Sequence, residues 1–181
     1  RQAMQGFAPS FPMLAEEAGL GDNAAQRRRL QATYTQTFAA TYRNRNRGRD
    51  VDARGLWQGL SDDAVAAQVQ YIANNPQPVG EKHRFDRADD ASRYSRVHAE
   101  HHPVFRELLE LQGYYDLFLV EPAQGHIVYS VYKELDFGTS LRTGPYADSG
   151  IAELYRRVVA APDDRVQITD FSPYRPSYDA E

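Results

Sequence analysis

Residues 113–146 read GYYDLFLVEPAQGHIVYSVYKELDFGTSLRTGPY and hold the densest run of alternating apolar residues in the 181-residue chain. DLFLV (residues 116–120) and HIVYSVYK (126–133) are rich in β-branched and aromatic residues. EPAQG separates them, so the pair predicts a β-hairpin with a loop of about five residues. Both strands carry apolar residues on both faces, which predicts a sheet covered on each side. RVQITDF (165–171) reads as a third strand, and the last ten residues carry two prolines and no closing element. A sheet this small is marginal alone. The expectation is therefore an incomplete sheet whose C-terminal strands are truncated at Glu181.

Upstream of the hairpin the hydrophobic period is helical. Leu30, Tyr34, Phe38 and Tyr42 recur every four residues and predict a helix of roughly five turns with one apolar stripe. The stripe is more apolar than a lone solvated helix needs, so it predicts either a homodimer seam or packing within the chain. Met4, Phe7, Phe11 and Leu14 also have helical spacing, but Pro9 and Pro12 argue against one unbroken helix. Ser61 is a candidate N-cap, with Asp62 and Asp63 beside the positive helix end. Its helix, marked by Val65, Val69 and Ile72, should stop at NNPQP (74–78). A third helix starts near Ser92, with Tyr94, Val97, Phe105, Leu108 and Leu109 on one side, and Pro103 should kink or restart it. A short helix capped by Asp148 or Ser149 carries Ile151, Leu154, Tyr155 and Val158. Fold class is therefore α+β, with a helical region over 1–112 and a sheet region over 113–181.

Composition narrows the function classes. A hydrophobic fraction of 41% and mean hydropathy of −0.66 are lean for a compact core and predict much surface. The net charge of −4 argues against a dedicated nucleic-acid binder. With no cysteine, disulfides, thiol nucleophiles and cysteine zinc sites are all excluded. No run of about 18 apolar residues exists, so no segment here is built to span a membrane. The chain opens on Arg1 without a signal-peptide pattern, which suggests an excerpt of a longer protein.

Several motifs fail as catalytic signatures. His98 and His101 could share a helix face at i, i+3, but HExxH is absent, and both lie on the stripe of Tyr94 and Phe105. A metal-binding or hydrolytic domain built on that helix is the alternative from another class. RNRNRGRD (43–50) reads as cations at a helix C-terminus followed by a solvated loop broken by Gly48. DFG (136–138) lacks the other kinase elements, and Gly138 and Gly144 lack the GK[ST] of a P-loop. GEKHRFD (80–86) pairs no nucleophile with a base. The better reading is a pocket wall over residues 133–146. On an alternating strand Tyr129, Val131 and Lys133 share one face. Tyr129, Lys133, Asp136, Thr139 and Tyr146 are therefore the candidate ligand-binding residues, for a small polar or anionic molecule. Neither a catalytic residue nor a cofactor is expected.

NNPQPVGEK, HAEHHPVFR, GYYDLFLV, VYKELDFGT and GPYADSG together resemble the extracytoplasmic sensory region of bacterial methyl-accepting chemotaxis proteins. The resemblance runs from about Leu56 to Tyr178, and related regions occur on sensor histidine kinases and nucleotide cyclases. It implies a Cache-like, PAS-type sheet on long helices that continue into flanking membrane segments. It also implies a periplasmic location, a homodimer and ligand-driven signalling to a cytoplasmic domain. The Arg-Trp-Tyr arrangement of amino-acid-binding Cache domains is absent, so an amino-acid ligand is not supported.

Overall fold

The computed structural model describes residues 2–20, 24–161 and 165–179. Helix α1 (Gln2–Ser10) contains Pro9, passes into a 3₁₀ turn at Phe11–Met13 that holds Pro12, and resumes as α2 (Leu14–Glu17). The segment is thus not one unbroken helix, as expected, and the break comes at Pro12. A long helix follows, made of α3 (Ala24–Ala32), a π turn (Thr33–Phe38) and α4 (Ala39–Arg45). On a regular α-helix a four-residue spacing advances about 40° per step, so the stripe would wind around the axis. The wider π turn offsets that drift. Leu30, Tyr34, Phe38 and Tyr42 are consequently all buried, and they are buried within this one chain. Intramolecular packing therefore accounts for the stripe, and it is not open to serve as a dimer seam.

Helices α5 (Ala53–Gln58) and α6 (Asp62–Gln68) follow. Ser61 caps α6 by accepting from Ala64 N–H at 3.2 Å, with Asp62 and Asp63 in the first turn. A second π turn (Val69–Ala73) ends at Asn74, where NNPQP begins. Helix α7 (Arg93–Gln112) is capped by Ser92 and closed by Gly113 in the left-handed conformation, φ +67°. Pro103 lies inside α7, so of the two expected outcomes the restart as a second helix does not occur.

Strands β1 (Phe118–Val120) and β2 (Ile127–Ser130) pair antiparallel, with a register shift between Leu119 and Val120. Both are shorter than the sequence pattern suggests, but the loop falls at EPAQG. Gly125 there has φ +73°, and a Cβ would meet the Tyr155 ring at 2.9 Å. The second edge of β2 is taken by the irregular segment after it. Ile127 N–H donates to the Thr139 carbonyl, Gly138 N–H to the Ile127 carbonyl, and His126 bridges Ser140. Every residue of β2 is buried, whereas β1 is only half-buried, so the cover predicted for the whole sheet is complete over β2 alone. Helix α8 (Gly150–Ala160), capped by Ser149, ties Tyr155 Oη to the Pro122 carbonyl at 2.8 Å.

The third strand expected at 165–171 does not form. Val166, Ile168 and Phe171 are exposed, because the described residues offer this segment no strand to pair with. The chain then returns. Residues 174–179, including a 3₁₀ turn at Arg175–Ser177, dock as a strap, so a closing element exists that the two prolines concealed. One apolar core runs from Phe7 through Tyr94 and Tyr129 to Tyr146, crossing the boundary drawn at residue 112. Accessible surface is 10150 Å², against roughly 8,800 Å² for a compact protein of this mass, which agrees with the lean composition.

Candidate functional site

The candidate wall begins where β2 ends. Asp116 stops the strand by accepting the backbone N–H groups of Val131 and Tyr132 at 3.0 and 3.2 Å, and the Ser130 hydroxyl at 2.9 Å. Lys133 then turns with φ +59°, a conformation uncommon for a residue with a side chain. Lys133 is thus not on the pleat with Tyr129, as strict alternation required. The turn nevertheless brings its ammonium over the Tyr129 ring, 4.6 Å from the centroid, with Phe137 at 5.6 Å and Tyr71 at 5.8 Å. Its Nζ donates to the Ser130 carbonyl, and it makes no ion pair with Glu134 or Asp136. Burial in this aromatic cage lowers its pKa to about 7, which the charge of Asp116 only partly offsets.

Asp136, Thr139 and Tyr146 form a separate group. Asp136 is fully buried, and its Oδ2 accepts from Tyr174 Oη at 2.5 Å. Asp136 Oδ1 and the Tyr146 hydroxyl have no hydrogen-bond partner among the described residues. Burial, followed by the charge of Glu134, raises the Asp136 pKa well above the carboxylate range. The Thr139 hydroxyl is committed to the Asp136 carbonyl at 2.7 Å, a local turn bond. All five predicted residues are therefore buried, but they fall into two clusters: Tyr129 with Lys133, and Asp136 with Thr139 and Tyr146.

Histidines of α7 pack behind the first cluster. The buried pair is His98 and His102, stacked with ring centroids 4.3 Å apart, while His101 is only half-buried. The expected sharing of a face by His98 and His101 is corrected to an i, i+4 pair, since four residues come closer to a full turn than three. His98 Nδ1 lies 2.6 Å from the Asp86 carbonyl and must donate, which leaves Nε2 a bare acceptor without a partner. His102 Nε2 donates to the His83 carbonyl at 2.7 Å, and its Nδ1 accepts from Tyr129 Oη at 2.7 Å. Both rings are neutral: burial and then the Lys133 charge hold His98 well below its usual pKa and push His102 down to about 2. His102 has no nitrogen left for a metal. Among the described residues no group of three or more metal-ligating side chains converges.

Sequence reasoning passed over Gln68, Tyr174, Ser177 and Tyr178. Gln68 is fully buried and donates to the Leu135 and Phe137 carbonyls at 2.9 and 2.8 Å, while accepting from Tyr34 Oη at 2.7 Å. A glutamine inside the apolar run AVAAQVQYIA was the available signal. The strap residues had none. Ser177 donates to Glu134, whose pKa burial raises to about 7, and Tyr178 stacks on Phe38 at 5.3 Å. Together these elements enclose an open cleft of about 530 Å³ between the π turn at Thr33–Phe38, the loop at residues 79–82, the turn at 132–135 and the strap.

Comparison of the chain with family models, with curated proteins and with solved structures finds no match.

Proposed function

We propose that this chain is the ligand-sensing region of a bacterial transmembrane receptor of the methyl-accepting chemotaxis kind. In this reading it is periplasmic, works as a homodimer through a surface other than the buried stripe, and signals through its helices. Its sheet is of the PAS or Cache kind. The ligand is a small polar or anionic molecule held beside β2 by Tyr129, Lys133, Asp136, Thr139 and Tyr146. The observation that carries the reading is Lys133. A buried amine in a left-handed turn, caged by three rings and bonded to one carbonyl, contributes little to stability for the desolvation it costs. Such an arrangement is typical of a group kept for binding. The resemblance of the quoted phrases supports the same reading.

The test is a thermal-shift screen of small carboxylates and phosphates on the chain, followed by Lys133→Met with any ligand found. Loss of a charge-assisted hydrogen bond should weaken binding about tenfold to a hundredfold. A screen with no stabilising compound, or an affinity unchanged by Lys133→Met, removes this site.

A further inference from the structure

We propose that the open cleft is a binding site for a small organic carboxylate with a flat apolar body, and that Arg45 is its carboxylate ligand. The inference goes beyond the sensor reading, because the cleft can bind whether or not a signal follows. A volume of about 530 Å³ is within the range of small-molecule sites. Its walls are flat and aromatic: Tyr115 and Tyr132 lie near-parallel, 29° apart at 6.4 Å, and Tyr178 stacks on Phe38 at 28°. Arg45, Lys82 and Lys133 are the cations lining it, and Glu134 is the one acid; Lys133 is buried at the inner end, with its Nζ on the Ser130 carbonyl.

Arg45 is the residue that asks for a ligand. In the same basic loop Arg43 pairs with Asp50, and Arg49 donates to Asn46 Oδ1. Among the described residues Arg45 has neither an ion pair nor a hydrogen bond, and its guanidinium lies over the Tyr178 ring at 4.7 Å. Stacking holds the fork in place while leaving its N–H edge for a two-pronged acceptor, which a carboxylate supplies. Glu134 is a weak competitor for that edge, since its Oε2 accepts from Ser177 and burial keeps its carboxyl largely uncharged below pH 7. Lys82 Nζ is anchored on the Asn75 carbonyl at 2.8 Å and adds positive potential from the opposite wall. The flat body would lie against the tyrosine rings that line the cleft.

Calorimetric titration of the chain with benzoate, benzamide and inorganic phosphate tests this. Benzoate should bind, and benzamide, which keeps the ring and lacks the charge, should bind about tenfold more weakly or worse. Phosphate, which lacks the flat body, should do no better than benzamide. Arg45→Gln should weaken benzoate about tenfold, while Arg47→Gln, a solvated charge two residues away, should leave it within about twofold. Circular dichroism of each variant confirms that it is folded. Absence of benzoate binding at millimolar concentration overturns the inference, as do equal affinities for benzoate and benzamide. Equal losses in the two arginine variants reduce it to diffuse charge and also overturn it. Binding lost in Lys133→Met and kept in Arg45→Gln moves the carboxylate from Arg45 to Lys133, which overturns the inference and leaves the sensor reading standing.

Discussion

Two helices of this molecule bury a stripe of residues spaced by four, and they do so differently. In the first, Leu30, Tyr34, Phe38 and Tyr42 are kept on one face by a π turn, and both tyrosine hydroxyls reach acceptors, Gln68 and Asp179. In the second, α7 stays α-helical and buries Tyr94, His98 and His102, of which His98 is left with an unpaired nitrogen beside Lys133. Apolar stripes are satisfied by contact area. Polar stripes are satisfied only by named partners, and a missing partner marks a place where stability has been given up.

The largest expected effect tests the first stripe. Tyr34→Ala removes a fully buried ring and leaves Gln68 Oε1 without its donor, so urea unfolding should show a loss of about 3–5 kcal/mol. A loss below about 1 kcal/mol would mean that the stripe is not core.

Next comes the cage beside the second stripe. Between a native pKa of about 7 and the ordinary 10.5, the unfolded chain holds a proton that native Lys133 has released. Stability should therefore rise with pH through that window, by at most about 1.4 kcal/mol per unit, and be level below pH 7, where both states hold the proton. Lys133→Met should remove this rise between pH 7 and 9. Parallel pH profiles for the two proteins would show that the amine is solvated.

The histidines differ in a smaller and more discriminating way. His102→Leu strands the Tyr129 hydroxyl and should cost about 2 kcal/mol. His98→Leu loses one bond to a backbone carbonyl but also deletes an unpaired nitrogen, so it should cost less, under about 1 kcal/mol. Equal costs by chemical denaturation would refute the tautomers assigned here. Smallest of all, Arg27→Ala breaks the exposed pair with Asp62 that links α3 to α6, and should change stability by about 0.5 kcal/mol or less.

Where one physical signal dominated, the chain was readable from its letters. Ser61, Ser92 and Ser149 stand at helix starts because their hydroxyls accept an otherwise orphaned N–H, and that logic needs no tertiary partner. The hairpin loop at EPAQG and the break at Pro12 are equally local. Residues 165–171 show the opposite. Their alternation is genuine, yet an alternating segment becomes a strand only when another strand supplies its hydrogen bonds, and here Val166 and Ile168 face solvent. The candidate wall was half legible: residue type and proximity marked a segment whose five named residues are all buried, but alternation could not foresee a turn with positive φ at Lys133.

The sequence by itself determined the helix caps, the change of period near Tyr115, the α+β class and the absence of thiol chemistry, because each depends on near neighbours or on composition. Tertiary structure alone decided that the Leu30 stripe is closed within the chain, that His102 rather than His101 joins His98, and that Pro176 and Tyr178 help form the wall of a cleft. Those outcomes turn on which distant segments meet: Gln68 with Leu135, Tyr174 with Asp136, Tyr178 with Phe38. Such long-range contacts are set by burying the whole core at once, and no local pattern of residues encodes them.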